Sequence, residues 1–379
     1  MIRSLGLGSR DRILRVKPLA TRARPGGWRS AYRVELARQS WEVWADVRLP
    51  EGVAPACDPH PWTGEGSASL GLVLAMQEGV SLSLPRLRSR RLRAGIPEIQ
   101  ATLRSMFPDL HQIALHERGL RRRLPAPPRR GTGVFFSGGI DSFYSLVTNR
   151  PGVGILVAVH GFDVAFENAS LWRDVRAHLA AAASALGCGF IEVETNLRQL
   201  LHRRVNWEIA HGAALAWVAT LLTPVLERAL IAATHRREQA VAWGSHPDLD
   251  PLWSSEALEI VHDGTGASRA EKAARLAGEP EAMRHLRVCW QNPDGAYNCG
   301  VCRKCVVARV TLDSVGALER CATLHGVPSP EEIEKLEVDL VTTRGYLESA
   351  RDAYRRTRPA APQLAAIERA LARVGGAGS

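Results

Sequence analysis

Several things are scarce in this chain. No stretch of eighteen apolar residues occurs; the longest run, near Ala213–Leu222, suits a buried helix, so a membrane-spanning helix is not expected. The opening residues Met1–Gly6 lack the apolar core of a signal peptide, which points to a soluble, cytoplasmic protein. Gly-Lys-Ser/Thr is missing, which excludes a Walker loop, and so is the Gly-x-Gly-x-x-Gly spacing of dinucleotide folds. No repeat of fixed period runs through the sequence. Lysine is rare, at four of the 49 basic residues, while alanine is abundant. A GC-rich genome produces that bias, so the net charge of +10 is weak evidence for nucleic acid binding.

The charge is nevertheless unevenly placed. Residues 1–130 carry 23 Arg and Lys against 11 Asp and Glu, giving +12, and the remainder carries 26 against 28, giving −2. Arg86, Arg88, Arg90, Arg91 and Arg93 form one basic stretch, and Arg121, Arg122 and Arg123 another. Two readings stand: a solvated surface, or a docking face for RNA or an acidic protein. The 379 residues suffice for two or three domains.

Two segments carry chemistry. The first is Ser137-Gly138-Gly139-Ile140-Asp141-Ser142, between the apolar Gly133-Val134-Phe135-Phe136 and a helical Phe143-Tyr144-Ser145-Leu146-Val147. A strand, a glycine turn and a helix start follow one another within about a dozen residues. Without Cβ atoms, Gly138 and Gly139 let the backbone turn sharply and bring N–H groups close to a ligand. The new helix aims unpaired N–H groups and its positive dipole end at the same spot. Ser137 and Ser142 add hydroxyl donors. A phosphate group suits such a place; a plain helix-capping turn is the alternative.

The second segment holds Cys289, Cys299, Cys302 and Cys305, spaced x9, x2, x2, with Gly300 where a tight knuckle needs backbone freedom. Four thiolates can close a tetrahedron around Zn²⁺, leaving no open position for water, so such a metal is structural. Disulfides and an iron–sulfur cluster are the alternatives. Cys57, Cys188 and Cys321 fall outside the spacing and read as small buried apolar residues.

The first segment resembles the PP-loop of the ATP pyrophosphatase superfamily, enzymes that split ATP between the α- and β-phosphates and transfer AMP to an oxygen of the substrate. With the four-cysteine knuckle, the pattern is similar to the 7-cyano-7-deazaguanine synthase family. Gly244-Ser245-His246-Pro247-Asp248-Leu249-Asp250-Pro251 resembles that family's Tyr-Pro-Asp-Cys-Arg stretch, Ser268-Arg269-Ala270-Glu271-Lys272 its Ser/Thr-Lys-x-Glu-Ile segment, and Arg309 falls where the family also has arginine. The resemblance covers residues 131–320, about half the chain. The chain departs from the family in having about 130 residues before the loop, and in reading His160-Gly161-Phe162-Asp163 where the family carries Tyr-Gly-Gln.

The expected fold is α/β: a doubly wound parallel sheet with a zinc knuckle, an extra N-terminal β-rich α+β domain and a helical C-terminal tail. The expected layout is an accessory domain over 1–128, a PP-loop domain with the knuckle over 129–325, and a helical extension over 326–379. Strands are expected at Trp41–Val47, Leu70–Met76, Val80–Leu84, Gly133–Ser137, Gly154–His160, Phe190–Glu194, Leu230–Ala233 or Val241–Gly244, and Leu258–Val261. Helices are expected at Ile96–Phe107, Ser142–Thr148, Ser170–Leu186, Gly212–Leu222 and Lys304–Val315. Leu124–Pro128 reads as a linker. Ser329-Pro330-Glu331-Glu332 starts a two-helix tail broken near Pro359–Pro362.

The resemblance implies an ATP-dependent ligase that adenylates a carboxylate or amide oxygen. ATP would be held by Ser137, Gly138, Gly139, Asp141, Ser142, His160 and Phe162. Asp141 would help place Mg²⁺. Arg269 and Lys272 would neutralise charge on the departing pyrophosphate. Ser245, His246, Asp248 and Asp250 would line the pocket of a deazapurine-like carboxylate, with His246 or Asp250 as base or clamp. Asn206, Trp207 and His211 are weaker nucleotide contacts. Ammonia would then give an amide and, after a second ATP-dependent round, a nitrile. A second hypothesis changes the acceptor to a protein or small-molecule amine or an RNA base, since free ammonia needs no docking domain. A third is a non-catalytic nucleotide-binding scaffold. A homodimer is left open.

Overall fold

The computed structural model describes residues 13–59, 62–119, 130–338 and 342–375. The linker at Leu124–Pro128, the cluster Arg121–Arg123 and the first residues lie outside them. The class is α/β, with an eleven-stranded sheet in the order β11-β10-β7-β8-β9-β4-β3-β1-β5-β6 and β2 pairing with β3. The chain divides into two compact units.

The first unit takes residues 1–131, 192–229 and 242–261. It holds β1 (Ile13–Pro18), β2 (Arg22–Arg24), β3 (Gly27–Leu36), β4 (Gln39–Arg48), α1 (Thr63–Glu78), β5 (Ser81–Pro85), α2 (Arg90–Met106) and β6 (Leu115–Arg118). Strands β3 and β4 form a long antiparallel ladder with Tyr32 opposite Val43 and Val34 opposite Trp41. Alternate residues Trp28, Tyr32, Val34 and Leu36 turn to the core, as the two-residue side-chain period of a strand requires.

Leu70–Met76 is helix, not strand: it lies inside α1. Nearly every residue of α1 is buried, so its apolar run has no 3.6-residue stripe to read, and a short apolar run fits strand and buried helix alike. The helix lies tight on its sheet. A Cβ at Gly71 would come 2.7 Å from Val16, and one at Gly66 would come 2.8 Å from the Tyr32 hydroxyl.

The N-terminal strands do not form a sheet of their own. β4 pairs antiparallel with the chain at Glu192–Thr195, the end of β9 (Gly189–Thr195), with Val47 opposite Val193. That pairing covers what would otherwise be an exposed strand edge. It makes the sheet mixed: β1–β5, β5–β6 and β7–β8 are parallel, while β1–β3, β2–β3, β3–β4 and β4–β9 are antiparallel.

The second unit takes residues 132–191, 230–241 and 262–379. Its opening is strand, helix, strand: β7 (Gly131–Phe135), α3 (Ile140–Thr148) and β8 (Val153–His160), with β7 parallel to β8 and Phe135 opposite Val157. Helix α4 (Ala169–Ala185) leads to β9, and α5 (Leu197–Leu201) and α6 (Trp207–Leu221) follow in the first unit. The chain then returns on the other side of β7 as β10 (Leu226–Ala232) and β11 (Glu259–Asp263). The Val241–Gly244 alternative is not a strand. Because successive strands move outward from β7 and then reappear on its far side, the sheet reverses direction beside β7. Open α/β sheets bind ligands at that switch point, beyond the strands' carboxyl ends.

Helices α7 (Arg269–Leu276) and α8 (Pro280–His285) precede the cysteine segment, and α9 (Arg303–Ser314) follows it. Among the described residues the tail has three helices rather than two: α10 (Pro330–Glu334), α11 (Thr343–Thr357) and α12 (Pro362–Gly375). Ser329 and Glu332 form a capping box that fixes the start of the short α10. The tail shares a core with α9, in which Val306, Val307 and Val310 meet Ile333, Leu347, Tyr354 and Ile367. Tyr354 donates its hydroxyl to Asp313 inside that core.

Candidate phosphate site and cysteine knuckle

The glycine loop sits between β7 and α3. Phe136 N–H donates to Val157 O at 2.8 Å, carrying the parallel pairing one residue past β7 before the chain turns. Gly138 turns it with φ +76°, a conformation that side chains resist. A Cβ there would also lie 2.9 Å from the Leu179 side chain, so the positive φ and a close neighbour both favour glycine. Gly139 is the N-cap of α3 and offers no side-chain acceptor, and Ser142 Oγ donates back to Gly139 O at 3.1 Å. The opening N–H groups of a helix lack intrahelical partners, so α3 begins as an anion-favouring end.

Asp141 lies in the first turn of α3, and two cations hold it. Arg269 pairs with Oδ2, and Lys272 Nζ lies 3.3 Å from Oδ1. Arg269 and Lys272 are three apart on α7 and share one face. A capping box of Ser268 and Glu271 fixes the start of that helix. Glu271 is drawn outward to Arg236, leaving the Arg269/Lys272 face to Asp141.

Lys272 is buried, and its Nζ also donates to Ala233 O, just past β10, at 2.5 Å. Burial lowers its pKa, and the neighbouring Arg269 charge adds to that against the pull of Asp141. Burial likewise works against the Arg269 charge, but Asp141 and Tyr346 outweigh it and raise the pKa. The Arg269 guanidinium lies over the Tyr346 ring of α11 at 4.6 Å, and Ala270 N–H donates to Ser349 of the same helix at 2.8 Å. The tail therefore braces α7 from behind.

Arg287 was missed by sequence reasoning. Its N–H donates to Gly138 O at 2.8 Å, and its guanidinium reaches Asn292 Oδ1 at 3.1 Å. No local pattern marks it; the one signal in the sequence is its place two residues before Cys289.

The four cysteines come together, with all four Sγ atoms within 4.8 Å of one another. Cys289 and Cys302 are 3.7 Å apart, and Cys299 and Cys305 are 3.9 Å apart. A tetrahedron with metal–sulfur bonds of about 2.3 Å has edges of about 3.8 Å. A disulfide needs about 2.05 Å, so these are free thiols at metal-site spacing. The donor set fits Zn²⁺. Asn292 N–H points to Cys289 Sγ at 3.3 Å and Cys302 N–H to Cys299 Sγ at 3.3 Å, contacts that support thiolate charge. Arg309 braces the knuckle through Gly300 O (3.0 Å), Gly326 O (2.8 Å) and Glu332 (2.9 Å). Among the remaining cysteines, Cys321 is buried as expected, but Cys57 and Cys188 are partly exposed.

His160 ends β8 and Phe162 follows two residues later; both are enclosed. His160 stacks on Trp172 at 4.7 Å and on Phe166 at 5.6 Å. Ser245, His246, Asp248 and Asp250 belong to the first unit, where they form a loop bonded to itself. Asp250 is buried and accepts from Ser245 Oγ at 2.6 Å, while His246 Nδ1 accepts from Asp248 N–H at 3.1 Å. Gly244 passes so close to α6 that a Cβ on Gly212 would lie 1.9 Å from its carbonyl oxygen. Asn206 caps α6, and His211 meets the edge of Trp243 at 5.3 Å.

In the basic stretch, Arg93 pairs with Glu117, and Glu256 accepts from the N–H groups of Arg90 and Arg91. Arg86, Arg90 and Arg91 are exposed. Among the described residues no helix is long and apolar enough to cross a membrane. No protein-family model, characterised protein or solved structure matches the chain.

Proposed function

We propose that the chain is an ATP-dependent carbon–nitrogen ligase of PP-loop type, similar to the 7-cyano-7-deazaguanine synthase family, that adenylates a carboxylate. The observation that carries this reading is the glycine loop at the start of α3, with Arg269 and Lys272 gathered on Asp141 in its first turn. The loop's N–H groups would take the β- and γ-phosphates. A substrate carboxylate oxygen attacks the α-phosphorus, the bond to the bridging oxygen breaks, and pyrophosphate leaves. Arg269 and Lys272 offset the charge growing on that leaving group, an effect strongest where water is excluded. A nitrogen nucleophile then adds to the acyl carbon, AMP departs and an amide remains. With ammonia, a second activation of the amide oxygen and loss of AMP yield the nitrile. Mg²⁺ would arrive with the nucleotide, whose phosphate oxygens suit a hard cation. Zn²⁺ in the four-cysteine knuckle would be structural.

A second reading keeps the activation step and gives the carboxyl group to a protein amine or an RNA. The exposed Arg86, Arg90 and Arg91 favour it as a docking surface. Carboxylate-dependent exchange of labelled pyrophosphate into ATP tests the shared step. Exchange that requires 7-carboxy-7-deazaguanine supports the adenylation reading; nucleotide binding without exchange for any deazapurine carboxylate favours a scaffold.

A further inference from the structure

Arg287 has no part in the chemistry above. It is 4% exposed, and its Nε has no hydrogen-bond partner. Its guanidinium contact is the neutral Asn292 amide; among the described residues no carboxylate lies within ion-pair distance of it. A buried cation without a counter-charge is unfavourable unless an anion joins it. Its position suggests which anion. Arg287 N–H is bonded to Gly138 O, and its Cβ lies 3.4 Å from where a Cβ on Gly138 would stand. The side chain thus starts beside the glycine turn that opens α3, where helix N–H groups also favour negative charge.

We infer that Arg287 binds a phosphate oxygen of the nucleotide and that the cysteine knuckle positions it through Asn292. This rests on the reading of the loop as a nucleotide-phosphate site. Asn292 is well suited to the task. Its N–H is tied to Cys289 Sγ at 3.3 Å, its Nδ2 donates to Ala296 O at 2.6 Å and Tyr297 O at 3.2 Å, and its Oδ1 takes the Arg287 guanidinium. Apart from Arg287 itself, these anchors of Asn292 all belong to the cysteine segment. The knuckle's metal would therefore act on phosphate affinity as well as on folding.

The test is calorimetric titration of the full-length, zinc-loaded protein with ATP, inorganic pyrophosphate and adenosine. Arg287→Gln is expected to weaken ATP and pyrophosphate by about 10- to 100-fold, the range of one hydrogen bond to a charged group, and to leave adenosine affinity and zinc content unchanged. Asn292→Ala, which keeps the arginine but frees it, is expected to give a smaller loss of the same pattern. Wild-type affinity for pyrophosphate in Arg287→Gln would overturn the inference alone. If the wild-type protein bound neither ATP nor pyrophosphate, the phosphate-site reading would fall and the inference with it. Should Arg287→Gln not fold, Arg287→Lys takes its place, with an intermediate loss expected and unchanged binding contradicting the assignment.

Discussion

Lys272 Nζ lies 3.3 Å from Asp141 Oδ1 although 131 positions separate them in the chain. With Arg269 on the other oxygen, one carboxylate in the first turn of α3 serves two cations of α7. The arrangement joins the glycine loop to the segment that would face a departing pyrophosphate. It also makes Asp141 the counter-ion that allows Lys272 to be buried.

Replacing Asp141 by Asn should therefore cost more than an ordinary surface change. It leaves two enclosed cations without their anion, and breaking a buried pair in this way costs about 3–5 kcal/mol. Urea unfolding would measure the loss. Asp141→Asn combined with Lys272→Met should recover part of it, because the apolar side chain removes one uncompensated charge.

Metal content is equally direct. The purified protein is expected to hold zinc at one equivalent in the site of Cys289, Cys299, Cys302 and Cys305. Cys302→Ser should reduce that content several-fold and lower the melting temperature, because the binding energy of a structural metal is folding energy. Elemental analysis beside a thermal melt would check both.

A pH effect should arise beside the loop. His178 and His285 face each other with their Nδ1 atoms 2.9 Å apart, so one ring must donate and the other accept. Burial lowers the His285 pKa, and the His178 ring and the nearby Arg284 lower it further against the opposing pull of Glu281. A histidine whose folded pKa lies below its unfolded value of about 6.5 contributes stability that is present above that pH and lost as pH falls below it. The wild-type melting temperature should drop more between pH 6.5 and 5 than that of His285→Gln. Parallel profiles would remove His285 from the account.

What could be read from the sequence was what lies close along it. Six consecutive residues, Ser137–Ser142, carry the turn, the hydroxyls and the helix start, so their geometry was visible locally. The cysteine spacing was visible for the same reason. The α/β alternation after residue 131 was legible because each strand and helix keeps its own period. Leu70–Met76 was not, since a helix buried all round shows no period. Nor was the pairing of β4 with β9: Val47 meets Val193 through a register with no local signature. Arg287 stayed hidden because its significance comes from burial and from its bond to Gly138, both products of the fold. That Asp250, expected as a base or clamp, is buried and accepts from Ser245 of its own loop was likewise not legible.

Transfer of AMP to a carboxylate oxygen moves that oxygen into the AMP, so an oxygen isotope follows the step itself. The protein would be incubated with Mg-ATP, ammonium and 7-carboxy-7-deazaguanine labelled with ¹⁸O in the carboxyl group, and the nucleotide products read by mass spectrometry. The expected products are pyrophosphate, AMP carrying one ¹⁸O, and an amide or nitrile that has lost label. ADP with inorganic phosphate, or AMP free of ¹⁸O, would contradict that transfer.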